Sequence, residues 1–67
     1  MYRIRACGCQ RGDTWFVAGY GFSKDVVYCE ARGIRDEGYM VRVDSLEPFD
    51  FANSLHWQHV PDCEWYR

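Results

Sequence analysis

Hydrophobic and polar residues alternate along the first part of the chain. In Tyr2–Cys7 (YRIRAC) a hydrophobic residue stands at every second position and an arginine at two of the positions between them. A period of two is typical of a strand with one buried face, so we predict the first strand here. The residues that follow, Gly8–Asp13, contain two glycines and an aspartate, which predicts a hairpin-like connection to a second strand.

The second predicted strand is Thr14–Tyr20, which is rich in β-branched and aromatic residues. Gly19 and Gly21 indicate a bulge or a tight bend in or just after this strand. Further along the chain, a turn at residues 35–38 leads into Tyr39–Asp44. Hydrophobic residues again alternate with others in this stretch, and it has the clearest strand pattern of the chain.

The segment between these strands, Asp25–Arg32, is compatible with two structures. Its consecutive valines, Val26 and Val27, favour a strand because β-branched residues fit a pleated sheet. The same segment can form a short helix that begins at Ser23 and ends with a C-cap at Gly33. We favour the strand.

The pattern changes in the last third of the chain. Asp50 can cap a short helix from Phe51 to about His59, which Pro61 would end. The tail Cys63–Arg67 is interpreted as a last edge strand. The predicted fold is therefore α+β and mainly β: a small antiparallel sheet, or a partly closed barrel, of four to five strands with one short helix near the C-terminus.

Length and composition limit the fold to one small domain, residues 1–67. Hydrophobic residues make up 48% of the chain and charged residues 27%, which excludes a disordered chain or a charged tail. No hydrophobic run is long enough for a transmembrane helix, and the start of the chain lacks the apolar stretch of a signal peptide. We therefore expect a cytoplasmic protein whose cysteines are reduced, without contact with a membrane.

Aromatic residues are numerous for so short a chain: three Trp, five Tyr and four Phe. A core of this size cannot enclose them all, and Trp and Tyr dominate the energetics of protein interfaces. We therefore expect several aromatic side chains at the surface. The candidates are Tyr20, Phe22, Tyr39, Trp57, Trp65 and Tyr66.

Charge argues against a general affinity for nucleic acid. The formal net charge is −2, and most acidic residues lie in the second half of the chain. Arg3, Arg5 and Arg11 lie near Trp15 in the sequence, but strand alternation places Arg3 and Arg5 on the face opposite Tyr2. This pattern argues against nucleic acid as a direct ligand, and a nucleic-acid-binding module that uses these arginines is the second hypothesis.

Metal binding and catalysis each have a candidate set. Cys7, Cys9, His56 and His59 contain the ligand types of a zinc site, with Cys29 and Cys63 as alternates. However, one residue between Cys7 and Cys9 is tighter than the usual C-x₂₋₄-C spacing, so whether these residues bind zinc stays open and we predict no cofactor. Cys63 with His59 or His56 and Asp62 contains the residue types of a thiol enzyme, but no catalytic motif accompanies them, and we do not expect an enzyme.

The remaining hypothesis is a non-enzymatic module that binds a larger cytosolic protein stoichiometrically. Small phage or mobile-element inhibitors of host machinery, such as anti-CRISPR proteins, are of this type, and a zinc-stabilised or small-barrel nucleic-acid-binding module is the alternative. A second copy of the chain is a further candidate partner. The predicted partner-binding residues are acidic or aromatic: Asp44, Glu47, Asp50, Trp57, Asp62, Glu64, Trp65 and Tyr66.

Overall fold

The structure is a computed structural model that describes residues 1–8, 14–46 and 57–66. These residues form, in chain order, β1 (Tyr2–Cys7), β2 (Phe16–Gly21), α1 (Lys24–Asp36), β3 (Met40–Ser45), β4 (Gln58–Val60) and α2 (Asp62–Trp65). The strands make one four-stranded antiparallel sheet in the order β2-β1-β3-β4. The predicted fold class is confirmed, and within the described ranges the sheet is open and not closed into a barrel.

The alternation in β1 and β3 determines the two faces of the sheet. Ile4 lies opposite Val43 and both are buried, whereas Arg3 lies opposite Asp44 on the other face. The helices cover only the face of Ile4 and Val43, since the core consists of residues from both helices and from that side of the strands. The core is formed by Tyr2, Ile4, Val27, Tyr28, Ala31, Val41, Val43, Val60 and Trp65.

A bulge interrupts the pairing of β1 with β2, as predicted from the glycines of this segment. Ile4 pairs with Gly19 but Arg5 pairs with Val17, so Ala18 is an extra residue on the β2 side. An extra residue increases the local twist of a strand pair. After the bulge Val17 lies beside Arg5, on the face that the helices leave uncovered.

The segment Asp25–Arg32 is helical, so the prediction of a strand is wrong. Val27, Tyr28 and Ala31 follow the spacing of one helix face, and all three are buried against the sheet. Burial of this stripe outweighs the β-propensity of the paired valines, because packing of an amphipathic face supplies most of a helix's stability. The helix continues past Gly33 to Asp36, and a glycine with a φ of 106°, Gly38, follows it before β3.

Two glycines provide a matched test of this packing. A Cβ atom added at Gly21 would lie 2.7 Å from Val27 Cγ2, whereas one at Gly33 would meet no atom within 4 Å. We expect Gly21→Ala to lower the free energy of unfolding by about 1–3 kcal/mol through overpacking. Gly33→Ala should raise it by about 0.5–1 kcal/mol, because alanine is the better helix former. Urea denaturation of both variants measures the two effects, and a neutral Gly21→Ala would contradict the close contact of β2 with α1.

The C-terminal region differs from its prediction at both described elements. Gln58–Val60 is a strand, so a helix that extends to His59 is wrong at this end, and the rest of the predicted helix, with Asp50, lies outside the described residues. Asp62–Trp65 is a short helix instead of an edge strand. Val60 of β4 and Trp65 of α2 are both buried in the core. Because these two elements are too short for intrinsic propensity to specify them, burial of the two side chains determines their conformation.

Neither described helix has the length and apolar character that crossing a lipid bilayer would require.

Candidate functional site

The face of the sheet opposite the helices carries arginines interleaved with aromatic rings. Strand register places three arginines of β1 and β3 on this face, together with Asp44. Rings from β2 and from the residues before β2 and β4 contact these arginines or each other. We call this surface the arginine–aromatic face, formed by Arg3, Arg5, Trp15, Tyr20, Arg42, Asp44 and Trp57.

A buried carboxylate lies at the centre of this face. Asp44 is 2% exposed, although it is an acidic residue in a strand. Arg3 Nε donates a hydrogen bond to Asp44 Oδ2 at 2.9 Å, and Arg5 Nη2 donates one to Asp44 Oδ1 at 3.1 Å. Arg5 Nε also lies 2.7 Å from Asp44 Oδ2, where it adds ion-pair attraction without the alignment of a hydrogen bond. One carboxylate therefore holds two guanidinium groups in fixed positions.

Two of the guanidinium groups stack on tryptophan rings. Arg3 Cζ lies 4.4 Å from the centre of the Trp57 ring, and Arg42 Cζ lies 4.8 Å from the centre of the Trp15 ring. Trp57 is itself 6.3 Å from Tyr20, centroid to centroid. Stacking on an indole leaves the N–H groups at the edge of a guanidinium free to point elsewhere, so these contacts orient the arginines without using their donors.

Apolar side chains at the margin of the same face are exposed to solvent. Val17 and Tyr20 on β2 are 45% and 57% exposed, and Met40 at the start of β3 is 50% exposed. Register places Val17 beside Arg5, Tyr20 beside Arg3 and Met40 beside Cys7. The exposed part of the face thus combines apolar area with oriented positive charge. The expectation that several aromatic side chains are exposed is met by Tyr20, Phe22 and Tyr39.

Charge is distributed unequally between the two sides of the sheet. Among the residues that the structure describes, the arginine–aromatic face carries three arginines and a single carboxylate, Asp44. The described residues on and beside the helices include three basic side chains and six acidic ones. The acidic ones are Asp25, Glu30, Asp36, Glu37, Asp62 and Glu64. The sheet face is therefore locally positive in a chain whose net charge is negative.

Several residues predicted to bind a partner instead attach α2 to α1. Arg35 Nη1 donates a 3.3 Å hydrogen bond to Asp62 Oδ2, and the Arg35 guanidinium lies 4.1 Å from the centre of the Tyr66 ring. The Tyr66 hydroxyl donates to Asp36 Oδ1 at 3.1 Å. Arg32 Nη1 donates to the carbonyl oxygen of Trp65 at 3.0 Å. These contacts hold α2 and Tyr66 against the first helix.

The described members of the predicted partner-binding set do not lie on one surface. Asp44 and Trp65 are buried, so their assignment to a partner-contacting surface is corrected: Asp44 orients arginines and Trp65 fills the core. Trp57 belongs to the arginine–aromatic face, whereas Glu64 is exposed on α2, on the side of the helices. Glu47 and Asp50 lie outside the described residues.

The other candidate chemistries are only partly within the described ranges. Cys9, His56 and Arg11 lie outside them, and among residues 1–8, 14–46 and 57–66 no three potential ligands cluster to hold a metal ion. Cys7 is buried at the end of β1, and Cys63 and Cys29 are exposed on the helices. His59 is exposed on β4.

Sequence reasoning missed Arg42 and Trp15 as site residues. The signal for Arg42 was present, because strand alternation puts positions 42 and 44 on one face. The pairing of β1 with β3, which the structure provides, adds Arg3 and Arg5 to that face. The stacked tryptophans had no such signal, because they come from segments outside these two strands. No family model matches the chain, and no curated protein or solved structure is significantly similar to it.

Proposed function

We propose that this chain is a protein-binding module that uses the arginine–aromatic face to dock on a larger protein. The observation that carries the proposal is the fixed arrangement of arginines between Asp44 and two tryptophans, on a face whose margin exposes apolar side chains. Tryptophan, tyrosine and arginine are the residues that contribute most to protein interfaces. Holding them in place before binding lowers the conformational entropy that association would otherwise cost.

The same geometry favours protein over nucleic acid as the partner. Arg3 and Arg5 share the carboxylate of Asp44, so part of their charge is already neutralised and some of their N–H donors are already used. Phosphate-driven binding needs several unpaired basic side chains along a strand of nucleic acid. The exposed Val17 and Met40 offer nothing to a phosphate backbone, whereas they fit an apolar protein surface.

The mode of action we propose is stoichiometric occupation of the partner's surface, as small phage-encoded inhibitors of host machinery act. The excess of arginine on the docking face calls for a partner surface that is acidic and partly apolar. In this proposal the arginines, and not the acidic residues of the chain, select the partner. Asp44 is buried and Asp62 is paired with Arg35, so neither carboxylate is free to contact a partner.

Photo-crosslinking at matched valines tests the proposal. Val17 on the arginine–aromatic face and Val26 on α1 are exposed by 45% and 56%, so a photoreactive benzoyl-phenylalanine fits either position. After irradiation in cells of the native host, we expect about tenfold more protein adduct from position 17 than from position 26, as a docked interface buries only one side. The native mass of the purified complex should correspond to one chain per partner.

Two outcomes would overturn this assignment. Adducts at position 17 that nuclease digests and protease does not would identify a nucleic acid as the ligand. Equal protein adducts from positions 17 and 26 would show that crosslinking reports random collision and not a docked face.

A further inference from the structure

Strand β4 covers only half of its neighbour. It pairs with Val43, Asp44 and Ser45 of β3 and then ends at Val60, after which Pro61 leads into α2. On this side of the sheet, no strand of the described chain pairs with Met40–Arg42. The unpaired edge is about 10 Å long at the rise of an extended chain, and such an edge is a template for another strand.

A cleft of about 330 Å³ lies along this edge. Its walls carry the side chains of Trp15, Arg35, Arg42, His59 and Asp62. The volume is at the low end for ligand clefts, which suits a short segment of extended peptide. The cleft adjoins the arginine–aromatic face, since Trp15 and Arg42 belong to both.

The charges in the cleft are unbalanced toward positive. Its carboxylate, Asp62, already accepts a hydrogen bond from Arg35 at 3.3 Å. Arg42 is exposed, and it contacts the Trp15 ring while pairing with no carboxylate of the described residues. A guanidinium stacked in this way presents a fork of N–H donors that matches the two oxygens of a carboxylate.

We propose that an extended acidic segment of the protein partner adds to the free edge of β3, with a glutamate or aspartate side chain bound by Arg42. The inference deepens the proposed function and rests on it for the nature of the partner. Two features combine to select a peptide: the strand edge offers backbone hydrogen bonds, and the cleft offers a cation for alternate side chains. An isolated phosphate can use only the second of these features.

Binding of a fluorescent peptide of alternating valine and glutamate tests the inference, with fluorescence anisotropy as the readout. We expect saturable binding below about 1 mM and a loss of about tenfold in affinity with Arg42→Glu. Lys24→Glu makes the same charge change on the helix side and should alter affinity less than about twofold, within what screened long-range attraction allows. If Arg42→Glu lowers the Tm, its weaker binding could reflect unfolding. Arg42→Gln then replaces it in the affinity comparison, because it removes the positive charge without adding a negative one.

A peptide methylated on alternate backbone nitrogens separates strand addition from simple charge attraction. It keeps every side chain but loses donors for the sheet, so we expect about tenfold weaker binding. In amide-resolved NMR spectra, the unmodified peptide should shift residues of Met40–Arg42 more than the already paired residues of Val43–Ser45.

Four results would overturn the inference: no binding at about 1 mM, equal binding of the methylated peptide, equal effects of Arg42→Glu and Lys24→Glu, or displacement by inorganic phosphate or single-stranded DNA at concentrations below that of the peptide. If any of these occurs while benzoyl-phenylalanine at position 17 still crosslinks a protein, the edge-binding inference fails and the proposed role of the arginine–aromatic face stands. If benzoyl-phenylalanine at position 17 also crosslinks no protein, the proposed function fails together with the edge-binding inference.

Discussion

Replacing Trp65 by alanine is expected to unfold this domain at room temperature. Trp65 is fully buried at the centre of the core that joins α1, α2 and the sheet. Truncation of a buried tryptophan costs about 3–5 kcal/mol through lost apolar burial and the cavity that remains. A domain of this size rarely has more than about 3–5 kcal/mol of stability in total. Circular dichroism and urea denaturation should therefore show little cooperative folding in Trp65→Ala.

Trp65→Phe is the matched control for this prediction. The indole Nε1 of Trp65 is buried and makes no hydrogen bond to any described residue. Phenylalanine therefore removes no polar contact and leaves a smaller cavity, so we expect a loss of about 1–2 kcal/mol and a folded protein. If Trp65→Phe were as damaging as Trp65→Ala, the indole N–H would have an essential partner, which would contradict the packing described above.

The second large effect is expected for Asp44→Ala. This change leaves the guanidinium groups of Arg3 and Arg5 half-buried and close together without the carboxylate that now binds both. Breaking a buried ion pair by removing one partner costs about 3–5 kcal/mol. Because the two arginines are partly hydrated, we expect a loss of about 3 kcal/mol. Thermal unfolding should move down by about 12–24 °C, given about 4–8 °C for each kcal/mol in a domain of this length.

A triple variant separates the structural role of this cluster from its role in binding. Arg3→Met, Arg5→Met and Asp44→Leu together replace the charges by apolar groups, an exchange that is often neutral or stabilising for buried ion pairs. We expect the triple variant to regain most of the stability that Asp44→Ala loses, yet to lose crosslinking to a partner at Val17. A Tm of Asp44→Ala within about 2 °C of the unmodified protein would contradict the cluster's structural role.

The strands with regular alternation were predictable from sequence, and so was part of the site. The period of two in β1 and β3 identifies both strands, and it places Arg3 and Arg5 on a face away from the core. The glycines of β2 predicted a bulge or a tight bend, and the register shows a bulge at Ala18. The pairing of Arg3 and Arg5 with Asp44 could not be predicted, because it depends on which strand lies beside β1 and in which register.

The errors occurred where tertiary contacts outweigh local preference. Val26 and Val27 suggested a strand in α1, although Val27 and Ala31 lie one helical turn apart and both are buried. In α2, an aromatic tail suggested an edge strand. The short helix there depends on insertion of Trp65 into the core and on the hydrogen bond from Arg32 to the Trp65 carbonyl oxygen. Arg32 and most of the core residues are far from Trp65 in the sequence, so local pattern could not reveal these contacts.

The position of β1 between β2 and β3 has a consequence for the order of folding. The β1–β2 hairpin joins neighbouring parts of the chain and can form early, whereas the contact of Arg3 with Asp44 spans 41 residues. Closing so long a loop delays the contacts that depend on it. During synthesis, the edge of β1 that pairs with β3 therefore stays without its partner strand until β3 has been made, and in this interval the nascent β1 can pair with another strand instead.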